Sequence, residues 1–290
     1  MIDANEPTPS PATQAGPEPR SYWIESLNAG AQFMATASMH PLTECLEPLV
    51  SISDAAAEED VPIVCLSTPH PAGDRIRDHR IRAGNVQPLL NAARALDAQG
   101  LTLVIEDALR TPQTQRASAG SGLALRAYGE MLAWVDPDAS DEQIVERLAV
   151  ICAATPITAG HIAGAAVDVS VRRADGSELD RGGPYLDLSQ RMPMASPFID
   201  AEQASARALI TDAMARQGFV AYPFEFWHYS RGDVLAAVAS GSAEPAIYGP
   251  VHVAADGAVS PVENVHEPLA NRIELVKAVR AAIDTASRLR

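Results

Sequence analysis

The stretch Gly160-His161-Ile162-Ala163-Gly164-Ala165-Ala166-Val167-Asp168-Val169-Ser170-Val171 differs in texture from the chain before it. It is small and apolar, with His161 and Asp168 as its ionisable interruptions. From Ala165 onward β-branched residues alternate, which is the period of a strand. The glycines at 160 and 164 let the chain turn before that strand begins. Beyond it, Ala174-Asp175-Gly176-Ser177 reads as a hairpin turn.

Toward the N-terminus, Leu101-Thr102-Leu103-Val104-Ile105 is a second β-branched strand that runs into Glu106-Asp107-Ala108-Leu109-Arg110. Pro62–Leu66 is a shorter buried strand by the same criterion. Between the two, Leu89, Leu90, Ala93 and Leu96 recur at helical spacing over residues 85–99, and Gly100 follows as a stop. Residues 119–135 read as one helix, and Ser140 or Asp141 caps another that runs to Ala153. The acids around Asp136-Pro137-Asp138 fail as a calcium loop, because the sixth position is Asp141 rather than Gly and the twelfth is Arg147 rather than Glu. Residues 22–72 are mixed in pattern, and residues 75–82 read as a charged loop. The first 20 residues hold five prolines and almost nothing large and apolar, so they read as a disordered tail.

Toward the C-terminus, residues 201–217 read as an amphipathic helix ended by Gly218. Phe219–Tyr229 is aromatic-rich and strand-like, and it holds Glu225 and His228. Residues 267–290 read as a terminal helix.

His161, Asp168 and His228 are two imidazoles and a carboxylate, a donor set that zinc accepts. A turn at residues 160–164 followed by a strand lets the first two converge, and His228 must arrive from a neighbouring strand. Three protein ligands leave a fourth position for water, the arrangement of a catalytic zinc site. Glu225, three residues before His228, is near enough to take that water's proton and pass it to a leaving amine. Taken singly, each group also reads as a core histidine with one hydrogen bond or as a turn aspartate. Together they need a partner that offsets their desolvation in an apolar setting, and a shared metal supplies one.

The chain has 290 residues and a formal net charge of −15, with 22 Lys and Arg against 37 Asp and Glu. That balance argues against nucleic acid and against an anionic membrane surface. No stretch is long and apolar enough to span a bilayer. The three cysteines, Cys45, Cys65 and Cys152, lack metal-site spacing and read as buried free thiols in a reducing compartment. No basic n-region precedes an apolar run, and the expected location is the cytoplasm. Homo-oligomers are compatible with these features.

The segment from Gly160 to Asp168 resembles the first zinc motif of the D-alanyl-D-alanine dipeptidases, His, two residues, Gly, three residues, Asp. Glu225-Phe226-Trp227-His228-Tyr229 resembles the family's second motif, and Asp107-Ala108-Leu109-Arg110 its Asp-x-Tyr-Arg segment. The three occur in family order and cover roughly residues 100–232. The resemblance implies an α+β fold, a small and mostly antiparallel sheet flanked by helices. It implies that His161, Asp168 and His228 bind Zn2+, that Glu225 is general base and then acid, and that Arg110 stabilises the oxyanion. The expected organisation is a tail over residues 1–20, a zinc hydrolase domain over 21–250, and a C-terminal extension with a helix over 251–290.

The departures fall where the family binds the dipeptide amine. Ala159 replaces a common Ser, Ile199 stands where an Asp is expected after Met194-Ala195-Ser196-Pro197-Phe198, and Met34 replaces a Tyr. Ala159, Ser196 and Ile199 are therefore the candidate substrate-binding positions of an altered amine pocket. The expected activity is zinc-dependent hydrolysis of a small dipeptide or related amide. The alternatives are a D,D-carboxypeptidase or amidase acting on cell-wall peptides, and a zinc-bearing module without catalysis.

Overall fold

The computed structural model describes residues 17–70, 75–254 and 257–289. Its centre is a five-stranded sheet in the order β2 (Ile63–Cys65), β4 (Leu101–Asp107), β5 (Ala166–Arg173), β7 (His228–Ser230), β6 (Val220–Ala221). Only β2 and β4 run parallel, and the other neighbours are antiparallel. Two short antiparallel pairs lie apart from it: β1 (Leu49–Ser51) with β3 (Arg80–Arg82), and β8 (Val251–Val253) with β9 (Val259–Pro261). The helices are α1 (Pro19–Ser38), α2 (Ile52–Glu58), α3 (Ala83–Asp97), α4 (Pro112–Ala119), α5 (Gly122–Val135), α6 (Asp141–Ile151), α7 (Ala201–Ala215), α8 (Val234–Ala239) and α9 (Arg272–Arg288). The architecture is α+β, as the sequence resemblance implies. Among the described residues, no helix is long and apolar enough to cross a membrane.

The period of two along β5 separates two environments. Val167, Val169 and Val171 point to one face and pack with Leu103 and Ile105 of β4, Tyr229 of β7, and residues of α3 and α7 such as Leu90 and Ile210. Asp168 and Ser170, buried, take the opposite parity. A second core is mostly helical: Trp23 and Leu27 of α1, Leu132 of α5, Leu148 of α6, and Val279 and Ile283 of α9. Gly129 lets α5 and α9 approach closely, because a Cβ there would stand 2.2 Å from that of Ala282. The C-terminal helix thus shares a core with residues over 100 positions earlier.

Several elements depart in detail from the sequence reading. The helix expected over 119–135 is α5, which begins only at Gly122 because Ser121 caps it by accepting from the Ala124 amide at 3.1 Å; a separate helix, α4, ends at Ala119 just before it. The strand-like run 219–229 is a hairpin: Tyr222–Trp227 forms the turn that holds Glu225. The terminal helix begins only at Arg272, with Asn271 as its cap. The charged segment 75–82 ends in β3, and Arg82 is fully buried. Helix α1 was hidden in the mixed N-terminal pattern. Its buried positions Trp23, Leu27, Gly30, Met34 and Ala37 do repeat helically, but two of the five have almost no side chain. The expected tail falls mostly outside the described residues, and α1 begins inside its last two positions. All three cysteines are free, but none is fully buried: Cys45 is exposed, and Cys65 and Cys152 are partly exposed.

Candidate functional site

Asp168 is the Cα partner of His228 on one side and of Asp107 on the other. Residues directly opposite on neighbouring strands share a face. The register between β4 and β5 shifts at Ile105/Asp107, so Glu106 is the extra residue of a bulge. The bulge brings Asp107 level with Asp168; regular pairing would set Glu106 there and turn Asp107 to the other face.

His161 reaches the same point from the turn before β5. Gly164 has φ +64, a backbone region that favours glycine, and its amide donates to the His161 carbonyl at 3.2 Å. Arg82 holds this turn from behind: its Nε donates to the Ala163 carbonyl at 2.7 Å, and its backbone amide to that of Gly164 at 2.9 Å. The fork continues to Glu44 and to the Glu47 and Gly249 carbonyls.

One oxygen of Asp168, Oδ1, lies 3.3 Å from His161 Nε2 and 3.0 Å from His228 Nδ1. One donor atom from each of the three residues falls within 4.8 Å of the other two, and all three residues are buried. His161 Nδ1 meets the Ala108 carbonyl at 2.5 Å, and a carbonyl only accepts, so Nδ1 carries a hydrogen. In the neutral ring Nε2 then presents a lone pair toward a carboxylate oxygen. Burial and the neighbouring Arg110 push the His161 imidazole down, toward that neutral form. A cation between these two like-polarity groups would relieve their contact, and a donor set of two imidazole nitrogens and one carboxylate oxygen suits zinc. The residues fit the metal on these grounds.

Around this point stand three further ionisable groups. Glu225 is buried, with Oε2 4.0 Å from His228 Nδ1, and burial pushes its carboxyl up to about 8 against the pull of His228. Arg110 Nε donates to Asp107 Oδ2 at 2.6 Å, Nη1 to Gln115 at 3.1 Å, and Nη2 approaches Asp168 Oδ2 at 3.5 Å. Burial would raise the Asp107 carboxyl, but the Arg110 and Arg75 guanidinium groups help hold it at about 2.

These groups open onto a cavity of about 210 Å³. His161, Asp168, His228, Glu225 and Arg110 line it, and so do Ala159 and Met34. Ser196 and Ile199 do not. Ser196 Oγ donates to the Gln190 carbonyl at 2.8 Å and accepts from the Phe198 amide, so it braces a loop. Ile199 packs on Gly182, with a methyl 2.4 Å from where a Cβ would stand. Asp200, its neighbour, caps α7 in a reciprocal box with Gln203. Sequence reasoning passed over Tyr185, whose hydroxyl donates to Asp168 Oδ2 at 2.8 Å, and His70, whose Nε2 lies 2.9 Å from that hydroxyl. Both sit in irregular segments without periodicity or motif, so no local signal marked them.

Residues 81–243 match the family model described as D-ala-D-ala dipeptidase. The chain is 34% identical over 74 residues to a D-alanyl-D-alanine dipeptidase of Enterococcus faecium, covering 25% of this chain and 37% of that relative. It is 33% identical over 88 residues to a D-alanyl-D-alanine dipeptidase of Synechocystis sp., covering 27% and 36%. The chain thus spans little more than a third of the length of these curated relatives.

Proposed function

The chain belongs to the D-ala-D-ala dipeptidase family, and from that premise we propose that it hydrolyses the amide bond of a dipeptide or related small amide, with zinc held by His161, Asp168 and His228. The observation that carries this reading is the His161 nitrogen Nε2, a lone-pair donor, 3.3 Å from the Asp168 carboxylate. Held there, zinc would lower the pKa of a water to about 7 and polarise a carbonyl.

The chain's own residues supply the rest. Glu225 Oε2 takes a proton from the attacking water and hands it to the leaving amine. A carboxyl raised by burial suits both halves of that task. Arg110 is held by Asp107 and Gln115 and keeps a donor face beside the centre, where negative charge develops on the carbonyl oxygen. His161 keeps its Nε2 aimed inward because Ala108 occupies Nδ1. The amine pocket is altered in this proposal: Ala159 and Met34 line the cavity and offer no side-chain acceptor to an ammonium. Ser196 and Ile199 lie off its walls, so the altered positions on the cavity are Ala159 and Met34.

A module that binds zinc without catalysis would need neither Glu225 nor Arg110 at these positions. The test is elemental analysis of the purified protein, with a hydrolysis screen of the zinc-loaded form against D,D-, L,D- and L,L-dipeptides and N-acylated amides. About one zinc per chain is expected. No zinc, with folding unchanged by His161→Ala and His228→Ala, would reject the reading.

A further inference from the structure

The cavity continues past the zinc-site residues. Ala127 of α5 and Leu186 and Leu188 of the loop after Tyr185 line it, and the same three line an outer cleft of about 450 Å³. Met131 and Trp134, also on α5, extend the apolar wall of that cleft. Leu123 lines the inner cavity although it is 62% exposed, so it stands at the mouth. Leu186 has φ +66, a left-handed backbone that a leucine adopts only when its surroundings impose it. Strain of this kind gathers at ligand-binding walls.

The charges on these walls narrow the ligand further. The only carboxylates lining the inner cavity, among the described residues, are Asp168 and Glu225. Asp168 is engaged with two imidazoles, Tyr185 and Arg110. Glu225 is the proton carrier of the proposed reaction. Glu130, on the outer cleft, is exposed and paired with Arg126 at 2.9 Å. An ammonium entering the inner cavity would shed water without gaining a counter-charge. A methylene chain would shed only unfavourable hydration.

We infer that the substrate is a peptide whose amino end is capped by an apolar acyl group, and that this chain lies along α5 against Leu186 and Leu188. The inference rests on the hydrolase reading above and names its substrate class. The reaction is the same: the peptide C–N bond breaks, the oxygen and one hydrogen of water complete the new carboxyl group, and the other hydrogen goes to the amine.

The test uses the full-length, zinc-loaded protein and a series of D-alanyl-D-alanine derivatives: free amine, N-acetyl, N-butanoyl and N-hexanoyl, with the L,L counterparts. A free-amine tripeptide serves as a longer control. Each methylene buried in such a cleft is worth up to about fourfold. At least about a tenfold rise in kcat/KM from N-acetyl to N-hexanoyl is therefore expected. Leu188→Asp should flatten that rise, with thermal melting to confirm that the variant folds. If it does not fold, the wild-type series decides alone. A rate independent of chain length, or a preference for the free-amine dipeptide or tripeptide, overturns the inference and leaves the hydrolase reading standing. If nothing is cleaved, calorimetric binding of the N-hexanoyl and N-acetyl compounds separates the two claims. Tighter N-hexanoyl binding then supports the cleft while the hydrolase reading falls, and equal binding rejects the cleft as well.

Discussion

The Tyr185 hydroxyl donates to Oδ2 of Asp168 at 2.8 Å, and so divides the carboxylate between two neighbourhoods. Oδ1 faces His161 and His228, while Oδ2 faces Tyr185 and Arg110. With Oδ2 engaged, only Oδ1 is presented to the point between the imidazoles. Partners of this kind orient a ligand and tune its basicity.

Tyr185→Phe removes that hydrogen bond and keeps the ring that meets Trp227 edge-on at 5.6 Å. The variant should hold zinc about tenfold more weakly. Competition with a chromophoric chelator measures it. An unchanged zinc affinity would leave Tyr185 with a packing role alone.

Glu225→Gln should keep the metal and lose at least ~10²-fold in kcat, the lower range for a positioned proton-transfer group. Zinc content and steady-state rates on one preparation separate the two effects. A fully active variant would remove Glu225 from the mechanism.

His70 supplies a pH-dependent stability. Tyr185 gives its single hydrogen to Asp168, so His70 Nε2 donates to the tyrosine oxygen. Burial, with Arg110, pushes the imidazole down to about 4 from 6.5, although Asp107 pulls the other way; Arg75 also lowers it and Asp168 raises it. A lowered folded-state pKa means stability that is present above 6.5 and lost as pH falls through 4. Unfolding of the metal-free protein in urea at pH 7 and pH 4.5 should differ by ~2 kcal/mol more in the wild type than in His70→Gln. Equal pH dependence in both would show that His70 is not the group responsible.

Arg82→Met should cost about 3 kcal/mol, because it breaks a partly buried pair with Glu44 and leaves the buried Ala163 carbonyl without its donor. Denaturant titration gives the stability. Because Arg82 braces the turn that holds His161, zinc affinity should fall too. A variant as stable as wild type would mean that the turn at 160–164 holds itself.

The locally encoded features were legible. His161 and Asp168 are seven residues apart across one turn, and Glu225 and His228 three apart in another, so chain geometry alone keeps each pair close. Ser140 announces α6 because its hydroxyl and Gln143 complete a capping box within four residues. The β-branched runs at Leu101–Asp107 and Ala166–Arg173 announce buried strands for the same reason: the signal is the residue's own neighbourhood.

Whatever depends on distant partners was decided only by the tertiary structure. Asp107 stands beside Asp168 because a bulge at Glu106 shifts the register, and a bulge leaves no mark in the period of the strand. Ile199 turned toward Gly182 and Asp200 toward α7, since irregular chain has no parity from which a side chain's direction can be read. Tyr185, 17 residues beyond Asp168, reached it through a loop whose path is set by packing on Trp227 and His70. Sequence determined which groups could ionise or accept a metal and which were neighbours along the chain. Packing between segments far apart in sequence determined which of them share one point, because side-chain convergence across strands is a property of register and not of composition.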